Sequence, residues 1–392
     1  MILDATRPVA GQFGPTIEPS TISRSRTMNQ LTPGRLYTAD DLIGGFNPWD
    51  QVGYTLTRDF SIFRQFVLDG GPVPPSLAVR KAQAEHDAIV ADGLRQFLKD
   101  VRRPLVGFMG GHSVARDSDG YADIARLARH LVKKGFLLVT GGGPGVMEAA
   151  HVGVAFSSSP DNALDAAIKL LSKVPTFPTL EDLFDPSGSV YDKKMPDMEH
   201  AREWLKVAME ARAMAPAIMP LSLAVPTWLY GAEPTMPFAT HYAKYYQNSI
   251  REEALVNNSR AGIIYGQGGG GTIREIFQDV ERNYYAKKAN EVTPMIFFDR
   301  GGFWTQDAVY DAGGVKTPGI KVDTFIPNVL EFGLRSRKLA GAQKFKDKIK
   351  FTTDFKVITK VLSNHAEAAE RNLNFALEAQ PLKVTAARIN RT

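Results

Sequence analysis

The sequence predicts an α/β protein built on a doubly wound parallel sheet, with helical extensions at its N- and C-terminal ends. Three observations carry that expectation. Short apolar runs of strand length alternate with helical stretches. Two glycine clusters, 141–145 and 268–271, each sit where such a run ends and a helix begins. The composition is ordinary for a globular chain of 392 residues, 44% hydrophobic and 23% charged. That is enough apolar material for a sizeable core, and the length allows two or three units at roughly 150 residues each.

The elements follow in order. Residues 1–30 read as a disordered tail, with Arg7, Arg24 and Arg26 among Thr, Ser, Pro and Gly and no apolar leader. Residues 38–100 are mostly helical in pattern. A short helix opens at 39–43, and a longer one over 76–99 carries Leu77, Ala84, Ile89, Leu94, Phe97 and Leu98 at helical spacing. At Pro104 the character changes. The run 105–109 is a first strand, followed by Gly110, Gly111, His112 and Ser113. A helix over 121–134 ends at Gly135. The strand 136–140 meets the first glycine cluster, and a helix over 146–156 follows. Residues 157–215 read as an insertion, with helices at 161–173 and 198–215 around a Pro/Asp/Ser-rich stretch. A strand is expected within 218–225, then a helix over 240–257 carrying Tyr242, Tyr245, Tyr246 and Arg251. The strand 261–265 runs into the second cluster and a helix at 273–285, and 293–298 forms a further strand. A basic stretch over 335–350 and a last helix near 364–377 complete the chain. The expected units are the tail (1–30), a helical N-terminal extension (31–103), an α/β domain (104–333) containing the insertion, and a basic C-terminal extension (334–392).

Composition excludes several chemistries. With no cysteine, disulfides, thiolate metal sites and cysteine nucleophiles are ruled out. The seven histidines show no pair at ligand spacing, so no metal or other cofactor is expected. No run of 18 apolar residues occurs, so no membrane span is expected. A cytoplasmic location is the resulting expectation. The net charge, 47 − 42 = +5, is mild. The stretch 335–350 has only Phe345 inside it and Phe351 beside it, too few aromatics for a nucleic-acid platform, and reads as solvated surface.

Glycine at a strand–helix junction lets the backbone approach a ligand, and the amides and dipole of the helix start favour an anion such as phosphate. In an open parallel sheet both loops would lie beyond the carboxyl ends of the strands, where ligands bind. Neither cluster fits the dinucleotide spacing or the Walker pattern. Each is followed by an acid in the first helical turn, Glu148 and Glu275. Dipole stabilisation alone explains such an acid. A carboxylate beside a sugar phosphate also suits an oxocarbenium-like transition state at the anomeric carbon.

The segment Thr140-Gly-Gly-Gly-Pro-Gly-Val-Met-Glu-Ala-Ala150 resembles the TGGGPGIMEAA motif of the Lonely Guy family, and Gln267-Gly-Gly-Gly-Gly-Thr-Ile-Arg-Glu275 resembles that family's PGGxGTxxE motif. The resemblance covers roughly 104–312, and the long flanks are similar to those of the larger bacterial nucleotide nucleosidases of this group. It implies a Rossmann-like nucleotide-binding domain, usually dimeric. It also implies hydrolysis of the N-glycosidic bond of a nucleoside 5′-monophosphate to free base and ribose 5-phosphate. The older label of lysine decarboxylase has no support, since no pyridoxal-phosphate lysine environment can be read. By position, Gly268, Gly269, Gly270, Gly271 and Thr272 would cradle the phosphate, and Glu275 would be the catalytic carboxylate, activating water or stabilising the cation. Arg251 best matches the family's catalytic arginine, the alternative being a surface ion pair with Glu252, Glu253 or a neighbouring turn. Gly110, Gly111, Ser113, Gly142, Gly143 and Gly145 would line the nucleotide site, with Glu148 near the base or ribose.

Gln267 stands where the family has proline, Glu252 follows Arg251 where lysine is common, and His112 in the opening turn is unusual. A loop histidine is more often solvated than a ligand contact. The aromatic residues Trp228, Tyr230, Tyr242, Tyr245 and Tyr246 read as core or dimer interface before a base-stacking platform. A non-catalytic nucleotide sensor on the same fold is the alternative function. The presence of both Glu275 and Arg251 favours the enzyme.

Overall fold

A computed structural model describes residues 34–378 except 231–233, 289–290, 311–313, 337 and 339–341. The expected tail therefore lies outside the described residues. Seven strands form one parallel sheet in the order β4-β3-β2-β1-β5-β6-β9. They are β1 (Leu105–Met109), β2 (Leu137–Thr140), β3 (Ser222–Ala224), β4 (His241–Tyr242), β5 (Gly262–Tyr265), β6 (Met295–Phe297) and β9 (Ile349–Phe351). The pair β7 (Ala308–Tyr310) and β8 (Lys316–Pro318) forms a separate antiparallel ribbon. The helices are α1 (Ala39–Ile43), α2 (Arg58–Leu68), α3 (Leu77–Val101), α4 (Asp119–Lys133), α5 (Val146–Ala155), α6 (Asp161–Leu171), α7 (Met195–Ala213), α8 (Asn248–Asn258), α9 (Gly270–Tyr284), α10 (Val322–Ser336) and α11 (Phe355–Glu378). This is the doubly wound α/β architecture, with the winding reversing between β1 and β5.

The central strands are buried along their whole length, so they need continuous apolar runs rather than alternation. Leu105, Val106, Phe108 and Met109 supply one, and Leu137, Leu138 and Val139 another. Close approach of α4 to α5 requires Gly153, where a Cβ would lie 2.0 Å from the Ala125 carbonyl oxygen.

Two expectations need correction. The helix expected over 240–257 starts only at Asn248. Residues before it are extended: β4 pairs with β3, Tyr37 bridges Tyr242, and Thr227 bridges Tyr245. Tyr242, Tyr245 and Tyr246 mimic a helical stripe, but they are aromatic residues suited to a buried edge. Second, the sheet continues past residue 333: β9, at the end of the basic stretch, pairs with β6. Lys348 beside it turns inward, donating to the Val292 carbonyl at 2.5 Å and contacting His365 Nδ1 at 3.3 Å. Burial pushes the Lys348 ammonium down to about 8. The N-terminal extension is helical, as expected, and its helices pack into the core of the sheet. One continuous apolar cluster runs from Leu36 through the strands to Leu362. Asp59 of α2 is buried with Lys244 at 2.7 Å and accepts from Trp228 Nε1 at 2.8 Å. Among the described residues, no helix is long and apolar enough to cross a membrane.

Candidate active site

The carboxyl ends of β1, β2 and β5 carry the three glycine turns. Gly111 joins them. Its amide donates to the Gln267 carbonyl at 2.7 Å, and its own carbonyl accepts from Val146 N at 3.2 Å. Contacts are tight on both sides: a Cβ on Gly145 would fall 2.3 Å from Gly111 O, and one on Gly268 would fall 2.9 Å from Gly111 N. Gly110 is buried against Val146, whereas His112 and Ser113 are exposed at the turn.

The second glycine run is open. Gly269, Gly270 and Gly271 are exposed, and a Cβ on any of them would meet nothing within 4 Å. Helix α9 begins inside this run, three residues earlier than expected, and no side chain caps it. Its first amides are therefore left to an outside acceptor, and its dipole favours an anion there. Gly268 abuts the hydroxyl of Thr272, which is buried.

One turn into α9, Glu275 is buried, and Arg251 Nη1 donates to its Oε1 at 3.3 Å. Arg251 is itself buried, with Nε donating to the Val225 carbonyl at 2.8 Å and Nη2 to the Gly141 carbonyl at 3.3 Å. Gly141 is indispensable to this fork, since a Cβ there would lie 2.1 Å from Nη2. The position of Arg251 is set from far away in sequence. The start of α8 has no side-chain cap of its own, but Asp87 of α3 accepts from Tyr246 N at 3.0 Å and Gln247 N at 2.9 Å. Arg251 thus pairs with neither of its neighbours Glu252 and Glu253; Glu252 pairs with Arg274 at 2.8 Å, so α8 and α9 are joined by two ion pairs of opposite polarity.

The first glycine run is closed. Gly142, Gly143 and Gly145 are all buried. Gly142 has φ +80, and its amide donates to Thr140 Oγ1 at 2.9 Å. The same hydroxyl meets His151 Nε2 at 3.0 Å, and His151 Nδ1 meets Ser222 Oγ at 3.1 Å. Full burial pulls the His151 imidazole down to about 3, so it is neutral. Glu148, expected near the base or ribose, is fully buried. Both its oxygens are taken by Arg116, at 2.6 and 2.8 Å, and Tyr121 donates to it at 3.0 Å. Burial, followed by the Glu148 charge, raises the Tyr121 phenol well above its ordinary value. Arg116 and Asp87 escaped the sequence reading. Asp87 sits on a helix face with an apolar pattern, and Arg116 belongs to no motif.

Trp228, Tyr242, Tyr245 and Tyr246 are buried, with Trp228 and Tyr246 ring centroids 4.7 Å apart; Tyr230 is partly exposed. They are core. A cavity of about 570 Å³ lies elsewhere, between α1 and α7, lined by Ile43, Phe46, Trp49 and Met209. It contains neither of the two glycine runs nor the Arg251–Glu275 pair. Among the described residues, no group of three or more His, Asp or Glu is placed to hold a metal ion. No protein-family model matches the chain, and no curated protein matches it.

Proposed function

We propose that the chain hydrolyses the N-glycosidic bond of a nucleoside 5′-monophosphate, releasing free base and ribose 5-phosphate, as a Lonely Guy-type nucleotide N-glycosidase. One observation carries the reading: the buried Arg251–Glu275 pair, 3.3 Å apart, lies one helical turn behind an open glycine run. A phosphate at the amides of 269–272 is favoured by the α9 dipole. Four residues of helix rise about 6 Å, so Glu275 lies about one ribose away from that phosphate. There its carboxylate stabilises the positive charge developing at the anomeric carbon, or orients the attacking water. Water adds to the anomeric carbon, the base leaves with the bond's electrons, and a proton from that water reaches the base. Arg251 compensates the buried carboxylate and is fixed by two carbonyls, so it holds Glu275 in place. On the same resemblance, the proposal includes a homodimer or higher homo-oligomer and a cytoplasmic location.

The test is incubation of the purified protein with AMP, GMP, IMP, CMP, UMP and isopentenyl-AMP, with free base followed by chromatography. Base released by the native protein and not by Glu275→Gln supports the glycosidase and names its substrate. Nucleotide binding without release of any base would replace this reading with the sensor.

A further inference from the structure

We propose that Arg116 is a positioning residue for nucleotide binding, acting with Glu148 to hold the glycine turns in register; the inference rests on the N-glycosidase reading of the site. Arg116 is 1% exposed, and all three guanidinium nitrogens are engaged. Nε and Nη2 hold the two oxygens of Glu148, in the first turn of α5. Nη1 donates to the carbonyls of Val174, at 3.3 Å, and Trp204, at 3.2 Å. The Trp204 ring lies 4.0 Å from the guanidinium carbon, and the Arg116 amide donates to the Pro175 carbonyl at 2.9 Å. One side chain therefore fastens the turn after β1 to α5 and to two parts of the 157–215 insertion.

That turn is also the one that Gly111 ties to Gln267 and Val146. Movement of the turn is transmitted to both glycine runs, because Gly145 and Gly268 pack against Gly111 with no room for even a Cβ. A lysine at 116 keeps the charge but lacks the planar fork, so it cannot hold two carboxylate oxygens and two carbonyls together. The phosphate cradle would then lose alignment while Glu275 and Arg251, on α9 and α8, keep their own pairing. The loss falls on binding shared by ground and transition states, which raises KM and spares kcat.

The experiment compares the native protein with Arg116→Lys, Tyr121→Phe and Ile326→Val. It measures melting temperature, KM and kcat on the hydrolysed nucleotide, and calorimetric affinity for ribose 5-phosphate. Misalignment of this kind should raise KM and weaken ribose 5-phosphate binding by about tenfold in Arg116→Lys, with kcat within about threefold. Tyr121→Phe removes one bond to Glu148 and should move both in the same direction by about threefold; it carries the test if Arg116→Lys does not fold. Ile326→Val, in α10, should lower the melting temperature and leave KM unchanged. The proposal is overturned if a folded Arg116→Lys, or Tyr121→Phe in its place, binds ribose 5-phosphate like the native protein. It is equally overturned if Ile326→Val shifts KM as much. Native protein that binds ribose 5-phosphate but cleaves no nucleotide refutes the enzymatic reading alone, and the binding series still decides the role of Arg116. Native protein that binds neither overturns both.

Discussion

The two glycine runs look alike as sequence and differ as structure. Each follows a buried strand, opens a helix and carries a glutamate in or near that helix's first turn. After β2 the glycines serve packing: Gly141 makes room for Arg251, Gly145 for Gly111, and the Gly142 amide is spent on Thr140. After β5, a Cβ on Gly269, Gly270 or Gly271 would meet nothing within 4 Å, and the helix start is uncapped. Their acids differ in the same sense. Glu148 is enclosed by Arg116 and Tyr121, and Glu275 lies behind the open run with Arg251. Glycine thus has two uses at a strand–helix junction, to let protein approach protein or to leave space for a ligand, and only the surroundings distinguish them.

The sharpest way to break this contrast is through the two acids. Glu275→Gln keeps the shape of the side chain and removes the charge that the proposed mechanism needs. Its kcat should fall by about 10³-fold, with nucleotide affinity retained. A fall in Glu148→Gln as large as that in Glu275→Gln, at unchanged KM, would give the two loops the same job and end the distinction.

The glycines provide the next test, with opposite signs. Gly145 has φ +67 and no space for a Cβ, so Gly145→Ala should cost about 3 kcal/mol in urea unfolding. Gly271 lies inside α9 with open space around it, so Gly271→Ala should stabilise by about 0.5 kcal/mol. The added methyl would crowd the cradle, so the same variant should bind ribose 5-phosphate more weakly. A stabilised Gly271→Ala with unaltered binding would move the phosphate away from this run.

The differing legibility of these parts has physical causes. The strands β1, β2, β5 and β6 and the helices α4, α5 and α9 are readable because buried parallel strands need continuous apolar runs, and glycine punctuates each. Glu275 is legible from its place just after a glycine run, Arg251 only through the family resemblance, and the fold brings them together across 24 residues. The role of Glu148 was not readable, because a first-turn acid looks the same whether it faces a ligand or an arginine. Arg116 was invisible because its partners are distant, Trp204 being 88 residues away. The strand at 241–242 hid behind a tyrosine spacing that imitates a helix. The strand at 349–351 hid in a lysine-rich stretch, since an edge strand tolerates lysines that a central strand excludes.

The smallest effect concerns acid. His151 lies beneath the closed run, hydrogen-bonded to Thr140 and Ser222, and is held neutral down to about pH 3. In the unfolded chain a histidine titrates near 6.5. Between those values the unfolded state binds the extra proton, so stability is complete above about 6.5 and falls as the pH drops, by about 1.4 kcal/mol per unit for this group. His365, lowered to about 4 chiefly by burial, adds to the slope. His151→Gln should therefore flatten the stability profile between pH 6 and 5 by about one proton, measured by urea unfolding at each pH. Hydrogen exchange at pH 5 should show residues 140–155 losing protection before 266–275 in the native protein, and both together in the variant. An unchanged slope in His151→Gln would mean that the closed loop does not rest on a neutral histidine, and that its glycines are held by packing alone.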